Sequence, residues 1–338
     1  MRRRWRGVVS LVVVLWALPA WASTMVVVDP SGHEAVLQVP VERIVTPYAM
    51  ATYYLYVLGA GERLVMSWYI GVRTLADAPE ALWQLEPALG EKQAGGEPNI
   101  EELIGAAPDW LIVDALRHAA IADLAEELGV PVTRLAVETP EALLDVLHLL
   151  APPLGEEAVR RAAALGDWQE GILASLRGGA DEVDAAAVPR VLFVGTDPLL
   201  VATEAMYQTR MIEAAGGTSV TAQLEGYWAR IGLEELYRWD PEVIIIPSYS
   251  PVSVTDLLED PDWQAVSAVK NGRVHRMERL FAPWDTPVPD SLLGVLWLAQ
   301  RLQPGRIDTH LRDEVVRFYL EFYGYRVEPE ELDRLCGG

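Results

Sequence analysis

Cysteine is almost missing from this chain: among 338 residues there is one, Cys336, two positions from the end. That excludes an intrachain disulfide and a cysteine-held cluster, and it leaves no cysteine near the start to carry a lipid anchor. Positive charge is also scarce. Lys and Arg number 27 against 49 Asp and Glu, for a net charge of −22, which argues against nucleic acid and anionic membrane surfaces as partners. The five histidines, at 33, 118, 148, 275 and 310, stand apart without zinc-site spacing. No G-x-S-x-G elbow, phosphate loop or conspicuous Ser-His-Asp order is present, and Gly216-Gly217 reads as a helix stop. The apolar run at the start, Val8 to Leu18, is too short to cross a bilayer.

That run has a different reading. Arg2, Arg3, Arg4 and Arg6 precede it, and Ala20-Trp21-Ala22 follows as a small-x-small cleavage site. Residues 1–22 are therefore expected to be a cleaved signal peptide of the general secretory route, since the arginines lack the rest of a twin-arginine motif. Cleavage removes four arginines and no acid, taking the charge from −22 to −26. A free, soluble, monomeric product in the periplasm is the expectation.

What the chain does contain is a repeat. Asn99-Ile100-Glu101-Glu102-Leu103 is followed by Pro108-Asp109-Trp110-Leu111-Ile112-Val113, and Gly232-Leu233-Glu234-Glu235-Leu236 by Pro241-Glu242-Val243-Ile244-Ile245-Ile246. Glu101 and Glu234 are 133 residues apart, as are Pro108 and Pro241. Each phrase reads as a short helix begun by acids, a proline break and a buried strand. Between them Glu156 to Arg177 carries apolar residues at three- and four-residue steps, a rod of roughly 33 Å. Pro152-Pro153 and Gly155 should stop any helix before it, and Gly178-Gly179 should end it.

Strands alternating with helices on both sides of the rod predict an α/β chain of two Rossmann-like lobes. Each lobe is a mostly parallel sheet flanked by helices, and one long rigid helix joins them. The expected boundaries are residues 23–150 for the first lobe, 151–180 for the connecting helix and 181–338 for the second lobe. The second lobe includes a two-helix tail whose Phe318, Tyr319, Phe322 and Tyr323 should pack onto a lobe. Ligands of such sheets lie outside the carboxyl ends of the strands. That rule, with aromatic faces for planar chelates and arginines for anionic groups, selects Tyr48, Trp68, Tyr69, Arg73, Arg117, Tyr207, Trp228, Arg230, Tyr249, Trp284 and Asp285.

Several segments resemble one known family. They are Pro40-Val41-Glu42-Arg43-Ile44-Val45, Asn99-Ile100-Glu101 with Pro108-Asp109, Pro189-Arg190-Val191-Leu192-Phe193 and Ala214-Ala215-Gly216-Gly217. The most specific is Asp260-Pro261-Asp262-Trp263 followed by Ala268-Val269-Lys270-Asn271-Gly272-Arg273-Val274. Over roughly residues 40 to 302 the chain is similar to substrate-binding proteins of ABC importers, in the class that takes ferric siderophores, haem and cobalamin. The resemblance implies capture of an iron complex in the cleft, with cobalamin or haem second and a molybdate-type oxyanion third, and no resident cofactor. It also implies docking on a permease dimer with its ATPase subunits through one glutamate per lobe, which by motif are Glu101 and Glu234. Two-lobed chelatases and nitrogenase-like reductases are the enzyme alternative. The reductases need several cysteines, where this chain has one, and a chelatase would need an acid–base or metal-ligand group in the cleft, for which His118 and Asp285 are the best candidates.

Overall fold

The computed structural model describes residues 23–178, 188–305, 307 and 309–337. The expected signal peptide, residues 1–22, lies outside the described residues. The first half contributes a hairpin, β1 (Ser23–Val28) with β2 (Glu34–Val39), then β3 (Ile44–Thr46), α1 (Ala49–Val57) and β4 (Leu64–Ser67). Two short helices follow, α2 (Glu80–Leu85) and α3 (Leu89–Lys92), in a stretch whose sequence shows no regular pattern. Next come α4 (Ile100–Gly105), β5 (Trp110–Asp114), α5 (Ala119–Glu127), β6 (Val132–Leu135), α6 (Ala142–Leu154) and the rod, α7 (Glu156–Gly178). The second half holds β7 (Arg190–Phe193), β8 (Leu200–Val201), α8 (Tyr207–Ala214), β9 (Thr218–Ser219), β10 (Ala229–Arg230), α9 (Leu233–Trp239) and β11 (Val243–Ile246). It continues through α10 (Val254–Glu259), α11 (Ser267–Lys270), β12 (Val274–Arg276), α12 (Ser291–Leu302), α13 (Leu311–Tyr323) and α14 (Pro329–Cys336).

Each half forms one four-stranded sheet, all parallel, in the order β4-β3-β5-β6 and β9-β7-β11-β12. The strands following the repeated phrase, β5 and β11, hold the same place. The repeat extends to its hydrogen bonds. Asp109 Oδ2 accepts from the backbone N–H groups of Glu42 and Arg43 (3.1 and 3.0 Å), while the Arg43 guanidinium donates to the carbonyls of Ala106 and Ala107. In the second half Glu242 Oε2 accepts from Arg190 N (2.9 Å), and Arg190 donates to the carbonyls of Trp239 and Asp240. Among the described residues only two non-glycines adopt positive φ, Ala107 (48°) and Asp240 (42°), each directly before the repeated proline. The proline bars its predecessor from continuing the helix, so the chain turns there in both halves.

The strands are buried on both faces. Trp110 and Ile112 of β5, and Val243 and Ile245 of β11, join one large core, whereas Leu111 and Val113, and Ile244 and Ile246, face smaller private clusters. The large core runs through both lobes. It unites Tyr53 and Tyr54 of α1, Leu165 and Trp168 of α7, Phe281 and Trp284, α12, and Phe318 and Phe322 of α13. Trp168 lies 4.7 Å from Phe318 between ring centroids, and its Nε1–H donates to Glu314 (2.7 Å). Arg161 of α7 donates to the carbonyls of Val57 and Phe322. The aromatic tail therefore bridges α1, α7 and α12 rather than covering one lobe.

One expectation is corrected. Pro152 and Pro153 do not stop a helix before the rod, because α6 runs through both in its last turn and ends at Gly155 (φ 104°). Each proline lacks the N–H that would bond the carbonyl four residues earlier, which weakens the last turn, and the helix ends at Gly155 directly after it.

Candidate functional site

The carboxyl ends of the two sheets face each other across an open cavity of about 920 Å³. The first lobe lines it with the loop after β4, from Tyr69 to Arg73, and with Asp77. The second supplies Thr196 after β7, Leu200, Trp228 before β10, Tyr249 and Pro251 after β11, and Arg279 and Thr286 after β12.

Of the residues that the strand-end rule selects, Tyr69, Arg73, Trp228 and Tyr249 line this cavity. Trp228 packs so closely on Gly195 that a Cβ there would meet its ring at 2.9 Å. The others stand elsewhere. Trp68 is half-buried against the first lobe, its Nε1–H donating to Gly96 O (3.0 Å). Tyr48 is buried at the start of α1, with Asp114, Glu138, Arg117 and Tyr227 around it. Burial and the two acids push its phenol above the usual range. Arg117 is exposed in the loop after β5, and Arg230 is exposed and paired with Asp197 (3.1 Å). Tyr207 and Trp284 are corrections: both are core residues. Tyr207 is 1 % exposed and hydrogen-bonds Ser291 (2.6 Å), and Trp284 is 0 % exposed and donates to Tyr319 Oη (2.9 Å). Trp284 also backs onto α12 at Gly294, where a Cβ would fall 2.6 Å from its carbonyl oxygen. Each has a polar partner inside the protein, so neither ring needs the solvent edge that sequence position suggested. Asp285 is buried too, directly behind Tyr249.

The rule misses Arg279 and Thr286. The signal was the strand end at Arg276, but β12 is only three residues long and its apolar pattern is too brief to read as a strand. Arg279 reaches across the cleft, its Nη1 and Nη2 donating to the carbonyls of Ile70 and Asp77 (3.2 and 3.4 Å). Burial lowers its pKa. No carboxylate among the described residues lies within ion-pair distance of Arg279 or Arg73. A second contact spans the lobes where Tyr227 Oη donates to Glu138 Oε1 (3.1 Å), a carboxyl raised in pKa chiefly by its burial.

A carboxylate only accepts, so Tyr249, bonded to Asp285 Oδ2 (2.9 Å), commits its proton away from the cavity. Tyr56 donates to Glu86 Oε2 (3.0 Å), so the 2.8 Å contact between Tyr56 and Tyr69 takes the Tyr69 proton as well. Lys92 completes that chain on Glu86. Asp77 Oδ2 accepts from the N–H and hydroxyl of Thr74 (2.7 and 3.0 Å), which lower its pKa. Four groups left without a protein partner among the described residues can donate, the Arg73 guanidinium, the Arg279 Nε–H, the Thr196 hydroxyl and the Trp228 Nε1–H, while the Asp77 carboxylate lines the same cavity and interacts electrostatically with both arginines. The walls thus combine aromatic faces and unpaired cationic and neutral donors with one carboxylate, Asp77. Among the described residues no three His, Cys, Asp or Glu side chains converge to hold a metal ion. Nor is any helix among them long and apolar enough to cross a membrane.

Glu101 and Glu234 are both exposed in the first turns of α4 and α9. Their neighbours differ, because Glu235 accepts from Gly232 N (2.9 Å) as a helix cap, while Glu102 is exposed.

A profile of the periplasmic binding protein family matches residues 44–279. The molybdate-binding protein MolA of Haemophilus influenzae is 26 % identical over 264 residues, covering 70 % of this chain and 73 % of its own. A vitamin B12-binding protein of Pectobacterium carotovorum is 25 % identical, covering 68 % and 78 %. Among solved structures, a periplasmic solute binding protein of Veillonella parvula superposes with a TM-score of 0.79 at 24 % identity, covering 93 % of this chain and 97 % of its own. MolA bound to molybdate superposes with a TM-score of 0.77 at 21 % identity, covering 90 % and 99 %.

Proposed function

The chain belongs to the periplasmic binding protein family, and from that premise we propose that it delivers an anionic, prechelated metal complex to its ABC importer, an iron chelate before any other. The observation that carries this reading is the pair Arg73 and Arg279, one from each lobe and neither within ion-pair distance of a carboxylate among the described residues, with Arg279 reaching over to the Ile70 and Asp77 carbonyls of the loop that holds Arg73. A guanidinium left without a carboxylate in a half-closed site favours an anionic guest, and its planar fork suits carboxylate and other oxyanion groups. Tyr69, Trp228 and Tyr249 add aromatic faces for a planar or catecholate chelate. A volume of about 920 Å³ falls in the range of drug-sized sites, roughly 300–1,000 Å³. Cobalamin and haem stand second, haem offering propionate carboxylates to the same guanidinium groups.

A second reading is a bare oxyanion of the molybdate type. The unpaired donors of Arg73, Arg279, Thr196 and Trp228 favour it, because a fully deprotonated oxyanion brings only acceptors, and one relative bears the name molybdate-binding protein. A chelatase reading has less support. His118 and Asp285 are not among the residues lining the cavity, and His118 Nδ1 already accepts from Asp114 N (3.1 Å).

Tryptophan fluorescence titration decides between these, because Trp228 stands in the wall. A ferric siderophore or ferric citrate is expected to bind more tightly than molybdate, cobalamin or haem. Arg73→Ala and Arg279→Ala should each weaken binding about tenfold or more, the equivalent of about 1.4 kcal/mol. Tight binding of cobalamin, or unchanged affinity in both variants, would sink the anionic reading.

A further inference from the structure

Asp285 is wholly buried behind the cavity wall, and the residues on either side of it in space, Tyr249 and Thr286, line the cavity. Tyr249 Oη and Gln208 Nε2 both donate to its Oδ2 (2.9 and 3.2 Å), while Oδ1 has no partner. The titratable groups facing it are Tyr249, from the loop after β11, and Tyr207, from α8; Gln208, also on α8, is neutral. No Lys, Arg or His among the described residues pairs with it. Glu86, the carboxylate behind the opposite wall, differs in this respect because it is paired with Lys92.

We infer that Asp285 is a proton acceptor coupled to solute capture, so that an anion entering the cavity is accompanied by uptake of one proton on this carboxylate. The inference rests on the cavity being the anion site. A charge buried without a counter-ion repels an anion on the other side of a tyrosine ring far more strongly than water would allow. Protonation removes that repulsion. It also turns the carboxyl into a donor, so that the Tyr249 hydroxyl can reverse and release its own proton from Asp285. The proton comes from the buffer and stays on the carboxyl, and no bond to the solute is made or broken. Burial already lifts this carboxyl to about 6, so a further rise on binding places its titration in the neutral range. By linkage, affinity for the anion must then increase as pH falls.

Isothermal titration of the full chain with molybdate and with ferric citrate, in two buffers of different ionisation enthalpy, reads the proton directly. The probe that binds should take up a substantial fraction of one proton near neutral pH. Its Kd should fall roughly three- to tenfold from about pH 8 to about pH 5.5, the effect of a pKa rise of up to about one unit. Asp285→Asn should take up none and show a flat pH profile. Tyr249→Phe removes one of the two donors to the carboxylate, so it should shift the midpoint of the profile upward, which keeps the test open should the first variant fold poorly. If Arg279→Ala weakens binding but the wild-type chain exchanges no proton, this inference fails while the site stands. If Arg279→Ala binds normally, or neither probe binds, the anion site itself is overturned.

Discussion

Asp290 is wholly buried between two tyrosines of the tail, accepting from Tyr319 Oη (2.9 Å) and Tyr323 Oη, while Trp284 donates to the same Tyr319. Burial outweighs these hydrogen bonds and lifts its pKa to about 7. The sign follows from proton counting. Between about 4, where an unfolded aspartate ionises, and about 7, the folded chain holds a proton that the unfolded chain has lost. Stability contributed by this group therefore falls as pH rises through that window and is level above it. A displacement of this size corresponds to a few kcal/mol as an order of magnitude. Asp290→Asn should flatten the fall in Tm between about pH 5 and about pH 8 by several degrees, measured by calorimetry on both proteins. Identical pH dependence in the two would show that Asp290 is not titrating there. The same residues mark where sequence reading stopped. That Phe318, Tyr319, Phe322 and Tyr323 form a patch was legible, but nothing in their spacing told that the patch would close over Trp284 and an acid.

At the scale of elements, α7 reads from the sequence in its start and its length, because its apolar steps are local signals, while the expected stop at Gly178-Gly179 runs into residue 179, outside the described residues. Its mechanical meaning is not local. A helix across a hinge resists bending, and here it is also stitched to both lobes. Arg161 donates to Val57 and Phe322, and Trp168 packs on Phe318 and donates to Glu314. Tyr53 and Tyr54 of α1 donate to the carbonyls of Phe281 and Pro287 in the other lobe (3.4 and 3.3 Å). A core that is continuous through both lobes is not expected to part when solute leaves. Small-angle scattering with and without a bound chelate should show lobe rotation of a few degrees, not tens. A large compaction on binding would mean that this core opens and that α7 does not act as one rod.

For the molecule as a whole, the internal repeat carries the docking prediction. Helices α4 and α9 each run back along a sheet whose next strand is parallel, so both begin on the carboxyl-end side, where the cavity lies. Glu101 and Glu234, exposed in their first turns, are proposed to seat one per lobe on the permease. An exposed ion pair is worth about 0.2–1 kcal/mol, but truncating a charge pair desolvated at an interface costs about 2–5 kcal/mol. The double variant Glu101→Ala, Glu234→Ala should keep solute affinity and Tm while abolishing stimulated uptake in vesicles carrying the cognate importer. Glu102→Ala is the clean control. Glu235→Ala is not, because it removes the cap on Gly232 N and should cost stability of about 1 kcal/mol. Normal uptake by the double variant would dismiss this assignment.

The repeat, the parallel α/β lobes and the joining helix were legible in the residues alone, because helix caps, prolines and unbroken apolar strands act within a few residues of themselves. The matched hydrogen bonds of Asp109 and Glu242, and the matched left-handed turns at Ala107 and Asp240, are the physical form of that repeat. Which strand-end residues line the cavity was settled by long-range packing. Position after a strand places a residue near the cleft, but depth depends on what packs behind it. Tyr207 found Ser291 and Trp284 found Tyr319, so both sank into the core, whereas Tyr249 and Trp228 stayed in the wall. Arg279 came to the cavity from a strand of three residues, too short to carry a period, and its place was set by two carbonyls of the opposite lobe more than 200 residues away in the chain.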